Sequence, residues 1–312
     1  MPAALFVFLQ FEFPWTLGPS DGRYLLRDGP DGEPERVVVV ESLTSGRPAP
    51  IPNQSGGWFG RRRERPRREH DAPPEPPPAE VRTTRVTVID PVPLSAEGQA
   101  RAWLEELDRA RDVTAAAAIV NRVVYMHRIA AADAYVREVS PAQALVIRAG
   151  WGEGEQVAYG TWQHARELSL RPPRRARRRD RAWALRPQER LAALLGGRSS
   201  DLLCEELALR ARLDLDQGRP EHAAIGLERA LVAAVGELES EGRQDLALRV
   251  AELEQLRGPV AEEAARALAR AVAGASGEPG ASDGAAEPDE EVLAHALGRL
   301  EAALRARTAS GV

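Results

Sequence analysis

Reactive side chains are few and scattered in this chain of 312 residues, so the search for chemistry starts from glycine and arginine. Gly150-Trp151-Gly152-Glu153-Gly154 follows the apolar stretch Ala144–Ile147 and precedes a helical pattern over Glu155–Leu168. Glycines spaced in this way let backbone amides approach a phosphate, as a nucleotide-dependent enzyme requires. The surroundings argue against that use. Strand and helix do not alternate around it, and the acidic residue needed about 20 positions on is replaced by arginines. The alternative is a flexible turn between two helices.

The five histidines, His70, His127, His164, His222 and His295, form no ligand pair, so no metal site is predicted. Cys204 is the one cysteine and lies in the apolar Leu202-Leu203-Cys204, which makes it a small core residue. It excludes an intramolecular disulfide and a cysteine zinc site, and this usage fits a reducing cytoplasm. Tyr125, His127, Arg128, Asp133 and Arg137 make a polar stripe on a long predicted helix, with Asp133 and Arg137 spaced to pair. A solvated helix face explains that stripe. No catalytic residue, cofactor or metal is predicted, and the chain leans away from being an enzyme.

Arginine is where charge is concentrated. All 42 basic residues are arginine, against 47 acidic ones, for a net charge of −5. Complete replacement of lysine, with heavy use of Ala and Pro, is the composition a GC-rich bacterial genome produces. Two runs stand out: Arg61, Arg62, Arg63 and three more within 61–68, and Arg174, Arg175, Arg177, Arg178 and Arg179 within 171–181. Such runs bind polyanions by releasing counterions, and Trp58, Phe59 and Trp183 beside them could stack on bases. A nucleic-acid-associated protein is therefore the second functional reading. Solvated linkers rich in arginine are the plain alternative. The acidic stretch 274–291 could also fold back on residues 171–181.

Interaction with a protein partner, or self-association, is the first reading. Leu293, Leu297, Leu300 and Leu304 step by four, three and four, which is a coiled-coil-like seam on a terminal helix over 289–307. They are the candidate partner-binding residues. Upstream, Ala211, Gly218, Ala223, Leu227 and Ala230 carry the small, turn and bulky positions of a helical hairpin. Over about residues 204–235 this resembles a tetratricopeptide repeat, although Asp214 stands where that family has an aromatic and no second copy follows 34 residues on. The resemblance implies close-packed antiparallel helices.

The elements that must position these residues begin with Leu5–Trp15, which holds four of the five phenylalanines. Leu5, Val7, Leu9, Phe11 and Phe13 alternate with Phe6 and Phe8, then with Gln10 and Glu12. This reads as a central strand covered on both faces in its first half. Helices starting near Ser95 and Asp112 are expected to supply the cover on Phe6 and Phe8, or else a partner chain. Strands over 23–27, 36–43 and 81–90 complete an antiparallel sheet within residues 1–91, with a disordered insertion at 44–80. Residues 93–170 are expected to be helical and packed on that sheet, including helices at 141–149 and 155–168. An Arg-rich linker (171–182), a repeat-like helical bundle (183–274), an acidic linker (275–288) and the terminal helix follow. Pro259 is expected to separate two helices of the bundle. The fold class is α+β, and no stretch is apolar enough to span a membrane.

Overall fold

The computed structural model describes residues 4–27, 32–45, 81–169, 178–275 and 286–309. The chain divides into two compact units, 1–172 and 173–312, and the class is α+β. The first unit is a six-stranded antiparallel sheet with two helices. Its strands are β1 (Leu5–Phe13), β2 (Gly22–Arg27), β3 (Pro34–Ser45), β4 (Val81–Ile89), β5 (Val146–Glu153) and β6 (His164–Glu167), in the order β2-β3-β4-β1-β5-β6. β1 is central, as its two-sided apolar pattern requires. It pairs with β4 from Phe8 opposite Ile89 to Phe13 opposite Thr84, and with β5 from Leu5 opposite Glu153 to Glu12 opposite Val146.

Helices α1 (Glu97–Glu106) and α2 (Arg109–Ala131) cover one face of the sheet. Leu5, Val7, Leu9, Phe11 and Phe13 share one buried cluster with Ala100, Leu104, Val113 and Val120. The expected cover for Phe6 and Phe8 is corrected here. Those two side chains lie on the opposite face, against Val157 and Ala158 of a 3-10 turn (Gly154–Tyr159) and against Trp162. Gln10 is fully buried there instead of facing water, because its Nε2 donates to Thr87 Oγ1 at 2.9 Å and to Ala158 O at 3.3 Å. One row further along, Glu41, Arg85 and Glu12 alternate in sign across β3, β4 and β1, and Arg148 of β5, opposite Gln10, reaches diagonally into that row to Glu12, with contacts of 2.7–3.2 Å. Neutralisation within that row makes a charged strip tolerable on a partly covered sheet face.

The expectation of an all-helical 93–170 segment is overturned by β5 and β6. Ser140-Pro141 does start a helical turn, with a capping box between Ser140 and Gln143, but it stops after three residues. Pairing with β1 takes the following chain into the sheet. The helix boundaries shift for a local reason. Asp108, not Asp112, caps α2: its Oδ1 accepts from the amides of Ala110 and Arg111, and Asp112 Oδ2 accepts from the amide of Asp108 at 2.9 Å. Ala132 then turns left-handed (φ 51°) and ends the helix after Ala131.

The second unit holds α3 (Arg178–Leu195), α4 (Leu203–Asp216), α5 (Pro220–Ser240), α6 (Ala247–Ala275) and α7 (Glu290–Ala309). Helix α3 starts inside the expected Arg-rich linker. Helix α6 runs without a break through Gly258-Pro259, where two helices were predicted. α4 pairs with α5 through small residues: Ala211, Ala223 and Ala230 are buried, and Gly226 lies over Ala211. Gly218 (φ 65°) makes the turn between them. α7 packs on α4, α5 and α6 together. The seam expected to meet a partner is thereby corrected: Leu293, Leu297 and Leu300 are at most 1% exposed and fill this core, with Leu304 half-buried at its edge. The terminal helix is part of the bundle, whose boundary therefore extends past residue 274. A leucine seam that can bury itself against three helices of its own chain does so.

Candidate functional site

The arginine candidates Arg61, Arg62, Arg63, Arg174, Arg175 and Arg177 lie outside the described residues, as do residues 46–80 of the insertion and most of the acidic linker. Arg178 and Arg179 form the opening of α3. The glycine stretch is not a turn. Its residues up to Glu153 belong to β5, whose backbone pairs with β1 and, over Arg148–Trp151, with β6. The glycines serve close approach. A β-carbon on Gly150 would stand 2.1 Å from the carbonyl oxygen of His164, and one on Gly152 would stand 2.8 Å from Val157 Cγ1. Amides held in ladders do not cradle a ligand. In the polar stripe, the Arg128 guanidinium lies 5.1 Å from the centre of the Tyr125 ring, and His127 packs on Gly18. Asp133 does not pair with Arg137, because the helix has ended and its Oδ1 accepts from the amide of Tyr135.

Two features of the described residues remain as candidate sites, one in each unit. In the first unit a cavity of about 290 Å³ opens between the sheet and the two helices. Its floor is Val7, Leu9 and Val88 of the sheet, and its walls are Trp103, Ala116 and Ile119. The rim carries Arg36, Asp90, Glu106, Arg111 and Asp112. The junction between α1 and α2 sets these charges. Glu106 ends α1 and Asp108 caps α2, so the negative end of one helix dipole and the positive end of another meet there. Arg111 Nε and Nη2 donate to Asp112 at 2.7 and 3.2 Å, and this hydrogen bonding holds the Asp112 carboxyl below its ordinary pKa. Arg36 and Asp90 face each other at 4.0 Å, and Asp90 Oδ1 accepts from the amide of Val92.

In the second unit α3 and α4 expose leucine. Leu191, Leu195, Leu203, Leu209 and Leu213 are between 41% and 81% exposed, and Leu209 and Leu213 are one turn apart on α4. A signal for this was present in the sequence. Helix α4 carries leucine at 203, 207, 209, 213 and 215, too many sides for one buried face. Its N-terminus is capped from another helix: Glu237 of α5 accepts from the amides of Leu203 and Cys204 at 2.9 and 3.0 Å. Cys204 is fully buried, and burial together with Glu237 pushes its thiol far above the ordinary range. It is a core residue, not a nucleophile.

No helix among the described residues is long and apolar enough to cross a membrane, and no cluster of three metal-ligating side chains occurs among them. No family model, curated protein or solved structure matches the chain.

Proposed function

We propose that this chain is a non-enzymatic interaction or scaffold protein of the bacterial cytoplasm that binds a protein partner through its helical unit. The exposed leucines of α3 and α4 carry this reading, Leu209 and Leu213 above all, because large apolar side chains left exposed one turn apart mark an interaction site. The α4–α5 hairpin, with its Gly218 turn and alanine contacts, is read as one tetratricopeptide-like unit that presents Leu209 and Leu213. A second copy of the chain is the first partner to test. Sedimentation velocity on the wild type and on L209E/L213E should show an oligomer that the double variant loses. Where the wild type is monomeric, mass spectrometry should find a protein retained by the wild type and not by the double variant. A monomer whose retained proteins are the same with both overturns the reading.

One observation favours the nucleic-acid alternative. The run 171–181 continues into the first turn of α3, so Arg178 and Arg179 stand on a helix. Binding to duplex DNA would then fall steeply with salt and vanish when residues 171–181 are neutralised. Salt-independent or absent binding dismisses it.

A further inference from the structure

The cavity of the first unit is independent of the leucine surface and has its own chemistry. Its volume of about 290 Å³ lies at the small end of the range for ligand sites, about 300–1,000 Å³. Leu9, Val88 and Ile119 offer only hydrocarbon, so the buried part of an occupant is apolar.

The rim is of mixed sign and has spare capacity in both signs. Among the described residues Glu106 makes no ion pair or hydrogen bond, and it stands at the negative end of α1 with no basic residue in that last turn. Arg111 uses Nε and Nη2 on Asp112, which leaves Nη1. Asp112 is saturated by Arg111 and by the amide of Asp108. The Arg36–Asp90 contact of 4.0 Å is longer than a hydrogen bond. A lone cation entering here would meet two guanidinium groups, and a lone anion would meet three carboxylates. A dipolar molecule meets neither difficulty. It can enter the Arg36–Asp90 gap with each end facing its opposite, and no net charge leaves water.

We propose that this cavity binds a small zwitterion with an apolar side chain, the chemistry of a free apolar amino acid. The hydrocarbon lies on Leu9, Val88 and Ile119. The carboxylate is held by Arg36 and by Nη1 of Arg111, and the ammonium by Glu106 and Asp90.

Isothermal titration of the full chain with L-leucine and L-phenylalanine tests this. At least one should bind saturably below about 10 mM, a concentration that corresponds to roughly 3 kcal/mol of binding energy. Leucine methyl ester (cation only) and N-acetyl-leucine (anion only) should each bind about tenfold more weakly or not at all, the loss expected for one charge-assisted hydrogen bond, and glycine (no hydrocarbon) about tenfold more weakly or not at all through lost apolar burial. Two rim variants divide the recognition. E106Q should weaken the zwitterion but not N-acetyl-leucine, which loses a repelling carboxylate, whereas R36Q should weaken the zwitterion but not the ester, which loses a repelling guanidinium. Circular dichroism should show both variants folded as the wild type is. No saturable binding of either amino acid, an ester or N-acetyl derivative that binds as well as the zwitterion, or two variants that bind as the wild type does, each overturns the proposal.

Discussion

Arg307 is 9% exposed, and a guanidinium so far removed from water needs carboxylates. Its Nε donates to Glu241 at 2.6 Å, Nη1 lies 3.5 Å from Glu205, and Nη2 donates to the carbonyl of Ser200. Arg243 donates in turn to the Arg307 carbonyl at 2.9 Å. R307A leaves Glu241 half-buried with its closest counter-charge gone, whereas Glu205 loses the more distant of two and keeps Arg190. A loss of about 2–3 kcal/mol is expected, below the roughly 3–5 kcal/mol of a fully buried pair, and urea denaturation measures it. Glu237 sets a pH dependence at the same end of the bundle. Burial opposes its ionisation, but the amide and thiol of Cys204, the amide of Leu203 and Arg307 outweigh burial, so the carboxyl is held below its ordinary 4.5. A carboxyl whose folded pKa is lowered contributes stability that is fully present above 4.5 and is lost as pH falls through the folded value. E237Q should therefore be less stable than the wild type at pH 7, and the difference should shrink towards pH 3. Urea midpoints at the two pH values check the sign.

At the scale of elements, β5 depends on what it lacks. G150A places a methyl 2.1 Å from His164 O and 2.8 Å from Ala165 Cα, both backbone atoms, so β6 must move. Overpacking of this kind costs about 3 kcal/mol, and hydrogen exchange should show residues 164–167 losing protection first. Helix α6 gives the opposite case. A β-carbon on Gly258 meets nothing within 4 Å, and the residue is exposed inside a continuous helix. G258A should raise stability by about 0.5–1 kcal/mol through helix propensity alone, measured as a shift in the urea midpoint. These elements also divide what was legible in the sequence from what was not. The alternation of β1 was readable because each face buries a separate set of residues. The β-branched run of β3 and the Gly218 turn were readable as well. Segment 144–153 was not, because its short Val146-Ile147 signal is broken by Ala149, Gly150 and Gly152 and follows the helix-start pair Ser140-Pro141. Its state is decided by β1, more than 130 residues earlier in the chain. Pro259 misled for a related reason: packing of Val260 and Ala264 in the core holds the helix through a residue that would end an isolated one. The terminal seam was legible as a seam, but spacing alone does not say whether its partner is the same chain. The candidate cavity had no motif to find, since its rim comes from β3, the end of β4 and the α1–α2 junction.

Among the described residues of the whole molecule the buried side chains form three clusters with no residue in common, one on each face of β1 within residues 1–172 and one around α5 within 173–312. Residues 1–172 and 173–312 should therefore fold when expressed separately, each with its own cooperative transition. Circular dichroism melts of the two pieces should superpose on two steps of the intact chain. A fragment that is unfolded at 25 °C would show that its unit depends on the other. Within the first unit, the central position of β1 carries a cost in time. The strand Leu5–Phe13 leaves the ribosome before either of its neighbours exists. β5 is completed about 140 residues later, and at 5–20 residues per second that is roughly 7–28 s of synthesis. Until β4 is made, LFVFLQFEF is an aromatic strand with no partner in the nascent chain, and its β5 edge stays open for the whole interval. Faster translation shortens that exposure, and a holding chaperone would have its natural target there.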